Sequence, residues 1–157
     1  MKLALLQMEV LEKNKAGNVE KACNLLKQAA PQADIAVLPE IWTTGYSLGH
    51  LSKEAEYLNG PVIEEIRSIA AANNCAVVAG SIPLRKGDDN VYNTTVVIDK
   101  NGEIVFCYSE LHLFSMFNEQ RFFKPGSDFS AYELEGVTCA STICYDLRFP
   151  ELYRHMA

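Results

Sequence analysis

The sequence predicts an α/β fold, a sheet whose faces are covered by helices, and three observations carry that prediction. Short apolar runs at residues 3–8 and 33–38 flank a segment, 16–30, in which apolar residues recur at helical spacing. A second amphipathic stretch at 62–73 leads into a third apolar run at 75–82. Continuous apolar strands separated by helices are typical of buried strands joined by right-handed crossovers.

Turn and cap signals place the remaining elements. Asn59-Gly60-Pro61 introduces the helix at 62–73, which also carries acidic residues near its start, where the helix dipole favours negative charge. Two β-rich stretches, 91–99 and 103–108, meet at Asn101-Gly102, a hairpin signal that predicts antiparallel neighbours.

The second half of the chain is less regular. Residues 109–129 show no clear period, and an irregular segment of this length inside a compact domain is usually functional or disordered. Strand patterns return at 132–134 and at 137–143. An apolar-periodic helix start follows from residue 149 to the end of the chain, without a glycine cap.

The composition indicates an ordinary globular protein, because 48% of the 157 residues are apolar and 22% are charged. The net charge of −6 argues against nucleic acid or an anionic membrane as partner, since both need basic patches, and favours a small molecule or a protein. The five cysteines form no CxxC pair, and no apolar run is long enough to cross a bilayer. We therefore expect reduced thiols, a cytoplasmic location, and no metal or cofactor, since metal-ligand spacings and glycine-rich phosphate loops are missing.

Cys144 is the candidate nucleophile. It lies where an apolar strand is predicted to turn into a helix, so its sulfur can be exposed beside the free N–H groups of the helix start. Two further loops place ionisable residues after a strand: Glu40 follows 33–38, and Glu110 and His112 follow 103–108. Because sites in α/β sheets are assembled at strand ends, we expect these loops to meet.

Five segments together carry a resemblance that covers the chain from Lys2 to its end. They are Leu38-Pro39-Glu40, Tyr92-Asn93-Thr94, His112-Leu113-Phe114, Pro125-Gly126, and the run from Ile143 to Leu152 that contains Cys144-Tyr145-Asp146. In this order they resemble the nitrilase, or carbon-nitrogen hydrolase, superfamily. The residues of these segments are most similar to those of the small amidases of the ω-amidase and Nit type.

The resemblance implies a role for each candidate residue. Glu40 would be the base that takes the proton from Cys144, whose thiolate attacks an amide carbonyl, and no cofactor would take part. The backbone N–H of Tyr145 would stabilise the oxyanion. Glu119 matches a second family glutamate that positions a lysine and the substrate; the alternative, an exposed loop carboxylate, has equal weight. His112 would be a structural loop residue and not the partner in a Cys-His dyad.

The chain departs from this pattern at one position. The family lysine lies two residues before the histidine of the His-Leu-Phe run, and this chain has Glu110 there. Loss of one oxyanion donor typically costs about 10² to 10³ in rate, and an ionised Glu110 would in addition raise the pKa of Cys144. Nothing in the sequence favours Arg121 or Lys124 as a replacement.

The resemblance also implies the architecture, a four-layer α-β-β-α sandwich of the nitrilase type. Residues 1–157 would be a partial carbon-nitrogen hydrolase domain, truncated to roughly the first 60% of the family domain, and a homo-oligomer is expected if the chain folds. Three interpretations stay open: an impaired amidase acting on a small carboxamide, a pseudoenzyme or binding module, and a non-functional fragment. A papain-like hydrolase is disfavoured, because no separate histidine segment follows Cys144.

Overall fold

The computed structural model describes residues 1–87 and 90–157, apart from the side chain of Ser52. Helices and strands alternate in the first half of the chain, and strands predominate in the second. The α-helices are α1 (Lys15–Ala29), α2 (Leu51–Glu54), α3 (Pro61–Asn73) and α4 (Pro150–Met156). The strands are β1 (Leu3–Leu5), β2 (Ile35–Val37), β3 (Ala76–Val78), β4 (Ile82–Arg85), β5 (Val91–Ile98), β6 (Ile104–Ser109), β7 (Tyr132–Leu134) and β8 (Val137–Cys139).

Six strands of the described chain form one mixed sheet in the order β1-β2-β3-β5-β4, and β6 also pairs with β5. The strands β1, β2 and β3 are parallel, as expected for strands joined through helices, whereas β5 runs antiparallel to β3, β4 and β6. The predicted hairpin at Asn101-Gly102 is confirmed, with Gly102 at φ +83° in its turn. The sheet thereby brings the ends of β2, β5 and β6 toward one region.

The main core lies between one face of this sheet and the helices α1 and α3. Leu26 of α1 and Ile66 of α3 are fully buried there against Val77 of β3. The amphipathic patterns at 16–30 and 62–73 therefore predict these helices and their buried faces correctly. The mixed α/β architecture predicted from the sequence is confirmed.

The opposite face of the sheet is partly covered by the small antiparallel ribbon of β7 and β8. Leu134 of the ribbon packs on Ile35 and Val97, and the ring of Tyr132 stacks on Phe106 with centroids 4.4 Å apart. The ribbon does not cover the sheet at β1, and Leu5 of this strand is therefore 76% exposed. In the described part of the chain, no helix combines the length and the apolar composition required to span a membrane.

Two strand predictions are wrong in their bounds. The apolar run 75–82 is divided into β3 and β4 at Gly80, whose φ of +55° and close approach to the carbonyls of Leu38 and Pro39 leave no room for a Cβ. The strand predicted at 137–143 ends at Cys139. Residues 140–143 form no strand, and the N–H of Ile143 donates to the carboxylate of Asp146.

Candidate active site

Cys144 occupies a strained turn. Ile143 before it is extended, with φ −126°, whereas Cys144 itself has φ +47° and begins the short 3₁₀ helix Cys144–Arg148. A left-handed conformation costs a residue with a Cβ about 1–2 kcal/mol, so the surrounding contacts must hold it. The turn exposes Cys144. Tyr145 is the second residue of this helix, where N–H groups lack an acceptor within the helix.

Asp146 fixes this turn to the loop after β6. Its buried carboxylate accepts hydrogen bonds from the Tyr108 hydroxyl (2.5 Å) and from the backbone N–H groups of His112 (3.0 Å) and Ile143 (3.1 Å). The Nδ1 of His112 lies 2.8 Å from the same carboxylate, and the His112 ring stacks on Phe149 with centroids 3.5 Å apart. These contacts give His112 a structural position in the loop.

Glu40 is presented by the end of β2. The N–H of Leu38 still pairs with Val78, and the following turn is closed when Ile41, at φ +44°, donates its N–H to the Ser81 hydroxyl at 3.1 Å. This places the half-buried Glu40 and Cys144 along the same cavity of about 420 Å³. The predicted meeting of the two loops is therefore present in the structure.

The Tyr46 hydroxyl interacts with both groups. The Glu40 carboxylate and the Cys144 thiol each act on its pKa. Burial raises the pKa of the Tyr46 phenol, and the charges of Glu40 and Cys144 raise it further. Tyr46 is therefore a neutral donor at the mouth of the site.

Asn93 joins the carboxyl groups of Glu40 and Glu110. Its Nδ2 donates to Oε1 of Glu40 at 3.1 Å and to Oε2 of Glu110 at 3.0 Å. Backbone bonds hold Glu110 in place, since its N–H donates to the Asn93 carbonyl (2.9 Å) and its carbonyl accepts from Gly126 (2.8 Å). Oε1 of Glu110 and Oδ1 of Asn93 are buried and have no hydrogen-bond partner among the described residues.

Glu110 is a carboxylic acid for most of the neutral pH range. Burial raises its pKa to about 8, against the opposing effect of the Asn93 hydrogen bond, and the charges of Glu119, Glu40 and Asp146 act in the same direction as burial. At neutral pH the protonated form therefore predominates. The ionised form of Glu110, which would raise the pKa of Cys144, predominates only above about pH 8.

Cys144 is a thiol at neutral pH. Burial of its sulfur raises the pKa to about 11, and the charges of Glu40 and Glu110 add to this effect, whereas the hydrogen bond from Tyr46 opposes it. The residue as a whole is exposed, and the carboxyl groups of Glu40, Glu110 and Glu119 raise the pKa of its thiol in the same direction as burial of the sulfur. With this pKa only about one molecule in 10⁴ carries a thiolate at neutral pH.

Glu119 is buried, with 1% of its surface exposed, so the alternative of an exposed loop carboxylate is wrong. Its Oε2 accepts the Phe114 N–H at 2.6 Å, and its carbonyl accepts the Phe123 N–H at 2.8 Å. Burial and the charge of Glu40 raise its pKa, and the hydrogen bond from Phe114 opposes them. Glu119 thus shapes the loop and adds a third carboxyl group to the site.

No lysine or arginine of the described residues forms an ion pair with the carboxyl groups of the site. Arg121 and Lys124 are both exposed. Within residues 1–87 and 90–157, none of the lysine and arginine ion pairs involves Glu40, Glu110 or Glu119. The same residues contain no group of histidine, cysteine and acidic side chains that could hold a metal ion.

Three contributors were not predicted as site residues. Asn93 is a buried amide next to the buried hydroxyl residues Thr94 and Thr95 of β5, and its signal is the segment Tyr92-Asn93-Thr94 that contributes to the resemblance. Tyr46 belongs to a loop rich in aromatic and hydroxyl groups, but its contact with Cys144 depends on tertiary structure. Asp146 lies within the motif at Cys144, yet its bonds to Tyr108 and His112 span more than thirty residues of sequence and have no local signal.

The chain is similar to known proteins over nearly its whole length. The sequence model named "Carbon-nitrogen hydrolase" matches residues 2–157. The chain is 36% identical over 152 residues to the 2-oxoglutaramate amidase of Bacillus subtilis, covering 97% of this chain and 58% of that protein. It is 31% identical over 159 residues to the omega-amidase NIT2 of Homo sapiens, covering 96% and 57% of the two chains.

A solved structure shows the same fold. A CN-hydrolase superfamily protein from Xanthomonas campestris, crystallised with an arsenic adduct in its active site, superposes with a TM-score of 0.88 and 32% identity. The match covers 96% of this chain and 56% of the other. The chain therefore spans a little over half the length of the relatives that it matches.

Proposed function

Since the chain belongs to the carbon-nitrogen hydrolase family, within its ω-amidase and Nit branch, we propose that its site acts on a small carboxamide through a cysteine thioester, at a rate strongly reduced by Glu110. The observation that carries this proposal is the pairing of a strained, exposed Cys144 with Glu40 along one cavity. That pairing supplies a nucleophile and a base within reach of one substrate.

In the proposed reaction Glu40 takes the proton from Sγ of Cys144 as the sulfur attacks the amide carbonyl. The negative charge that develops on the carbonyl oxygen is met by the backbone N–H of Tyr145. Glu40 then returns the proton to the leaving nitrogen, ammonia departs, and a thioester remains. A water activated by Glu40 hydrolyses the thioester and frees the thiol. The raised pKa of Cys144 fits this scheme, because the proton is still on sulfur when the substrate arrives.

Glu110 is the reason for the proposed loss of rate. An ionised Glu110 repels both the thiolate and the oxyanion, and a protonated Glu110 supplies no positive charge to either. The raised pKa of Cys144, to which the charges of Glu40 and Glu110 contribute, supports this proposal. The substrate class rests on the family and on relatives such as the 2-oxoglutaramate amidase.

The test is ammonia release from 2-oxoglutaramate and succinamate by the purified chain, with Cys144→Ala as the blank and Glu110→Lys as the matched variant. We expect no ammonia above the blank for the wild-type chain, and a rise for Glu110→Lys, because a lysine restores a cation beside the thiol. Turnover by the wild-type chain that Cys144→Ala abolishes would show that Glu110 does not impair the site.

A second candidate is a binding module without turnover, and the high pKa of the thiol favours it. This candidate predicts saturable binding of an amide or of the corresponding acid by a folded chain that releases no ammonia. Calorimetric titration with succinamate separates the two functions, because binding that Glu110→Lys leaves unchanged while turnover stays absent supports the module alone.

A further inference from the structure

We propose that the pocket between Glu40, Asn93 and Glu110 binds a small primary alkylammonium ion. The inference goes beyond the proposed hydrolysis and does not require it, because it concerns a ligand held by the carboxyl groups and not a bond that is broken. Three features of the site support it: two buried oxygen atoms without hydrogen-bond partners, a group of carboxyl groups with which no lysine or arginine of the described residues forms an ion pair, and an adjoining cavity that Glu40 lines.

Two buried oxygen atoms of the site lack hydrogen-bond partners among the described residues. Oε1 of Glu110 and Oδ1 of Asn93 have no hydrogen-bond partner in the described part of the chain, although both residues are only 1% exposed. They belong to one connected group, because Nδ2 of Asn93 bonds the carboxylates of Glu110 and Glu40. Buried polar atoms in proteins are normally paired; Oδ1 of Asn93 only accepts hydrogen bonds, and Oε1 of Glu110 accepts them when the carboxyl group is ionised. The group that would satisfy them is therefore a donor.

The charge of the pocket selects a cation. The carboxylates of Glu40 and Glu119 raise the pKa of Glu110, and Glu40 also raises the pKa of Glu119, so the three groups repel one another. Within the described ranges, no lysine or arginine forms an ion pair with any of these three carboxyl groups. A bound cation would offset this repulsion, whereas an anion would add to it.

The form of the acceptors favours an ammonium over a metal ion. The described residues offer no arrangement of histidine, cysteine and acidic side chains that could hold a metal. A primary ammonium carries three N–H donors and no acceptor, which matches the unpaired oxygens of Asn93 and of ionised Glu110. Glu40 also lines the adjoining cavity of about 420 Å³ that holds Cys144, and this cavity, which Asn93 and Glu110 do not line, has room for a short alkyl chain.

Cys144 reports on such a ligand. The charges of Glu40 and Glu110 raise the pKa of its thiol, so a cation bound between them lowers that pKa. A decrease of one unit gives about tenfold more thiolate and, because a less basic thiolate is a weaker nucleophile, about threefold faster alkylation. Cys107 on β6 is exposed and supplies an internal reference in the same molecule.

The experiment measures iodoacetamide alkylation of the full chain at about pH 8, near the pKa of Glu110, by mass spectrometry of the peptides with Cys144 and Cys107. Methylammonium chloride is titrated at constant ionic strength against tetramethylammonium chloride, which has the same charge and no N–H donor. We expect a saturable rise of about threefold at Cys144 with methylammonium only, and none at Cys107.

Two variants sharpen the result. Glu110→Gln keeps the size and removes the charge, and should lose most of the response to methylammonium. Glu110→Lys carries the ammonium on a tether, and should be fast without the ligand and unresponsive to it. Equal effects of the two salts on wild-type Cys144 would overturn the proposal, as would an unchanged response in Glu110→Gln. Because no turnover is measured, an inactive chain leaves this test intact.

Discussion

The side-chain amide of Asn93 donates a hydrogen bond to Oε2 of Glu110 over 3.0 Å. Because an amide nitrogen only donates, Oε2 is the acceptor, and a proton on Glu110 must lie on Oε1, which has no partner among the described residues. The same nitrogen donates to Glu40. Two carboxyl groups therefore share one amide, and protonation of Glu110 reduces the repulsion between them.

Glu110→Gln should flatten the dependence of stability on pH. The folded chain keeps the Glu110 proton up to about pH 8, whereas the ordinary pKa is 4.5, so the folded state binds more protons between these values. The free energy of unfolding must then fall as pH rises through this window, by on the order of a few kcal/mol. Urea unfolding from about pH 5 to pH 9 measures the slope, which should be smaller in the variant.

The neighbours of Glu110 set the limits of this prediction. Glu40, Glu119 and Asp146 face it, and Glu119 has a pKa raised in the same direction, so part of the slope should remain in Glu110→Gln. Glu20→Gln, at an exposed position of α1, is the matched control and should keep the wild-type slope. Identical slopes in Glu110→Gln and the wild type would mean that Glu110 is ionised in the folded chain.

The two residues that begin the proposed reaction, Glu40 and Cys144, could be predicted from the sequence because each directly follows an apolar run. Glu40 and Cys144 stand out as ionisable residues at the ends of such runs, and their meeting follows from the topology of an α/β sheet. The positions of Asn93 and Glu119 in the chain do not mark them in this way, because their roles depend on burial in the folded chain. Glu119 lies in an irregular loop, and only tertiary structure shows that its carboxylate accepts the Phe114 N–H.

The bounds of the strands were less predictable than their existence. The apolar run at 75–82 contains no polar residue that would mark a break before Ser81, yet the chain bends at Gly80 because the loop before Glu40 passes against it. The strand predicted up to Ile143 ends at Cys139, and the Ile143 N–H bonds the Asp146 carboxylate. In both places a contact distant in the sequence or a side chain competes with the sheet, and periodicity carries no signal for either.

Gly80→Ala should destabilise the chain severely. A Cβ at this position would overlap the carbonyl oxygens of Leu38 and Pro39, and φ of +55° is unfavourable for alanine as well. We expect a loss of about 3 kcal/mol or more in the free energy of unfolding. Gly49→Ala is the control, because no atom lies within 4 Å of its added Cβ. A loss at Gly80 no larger than the loss at Gly49 would show that the Glu40 loop does not need this close approach.

Cys144→Gly should be more stable than Cys144→Ala. At φ +47° a glycine avoids a cost of about 1–2 kcal/mol, part of which its greater freedom in the unfolded chain offsets, so a net difference of about 0.5–1 kcal/mol is expected. The same pair of substitutions at Cys107, in the strand β6, should give the opposite order. Thermal unfolding of the four variants measures both differences. If alanine is the more stable residue at both sites, the turn at Cys144 carries no backbone strain.

Asp146→Asn should loosen the turn that carries Cys144. The amide group can accept through only one oxygen, so at least one of the donors from Tyr108, His112 and Ile143 loses its partner in a buried site. We expect a loss of about 2–4 kcal/mol in the free energy of unfolding. Asp128→Asn is the control, because Asp128 is exposed and bonds only the neighbouring Ser127 hydroxyl in the described structure. Equal losses in the two variants would contradict an anchoring role for Asp146.

Tyr46→Phe should make Cys144 less reactive. The Tyr46 hydroxyl opposes the effects that raise the thiol pKa to about 11, so its removal raises that pKa further and decreases the thiolate fraction at any lower pH. The ring contact with Phe117 does not need the hydroxyl, and phenylalanine preserves it. Alkylation rates of Cys144 at about pH 9 should fall severalfold, with Cys107 unchanged as reference. A faster reaction in Tyr46→Phe would mean that the hydroxyl shields the sulfur instead of stabilising its thiolate.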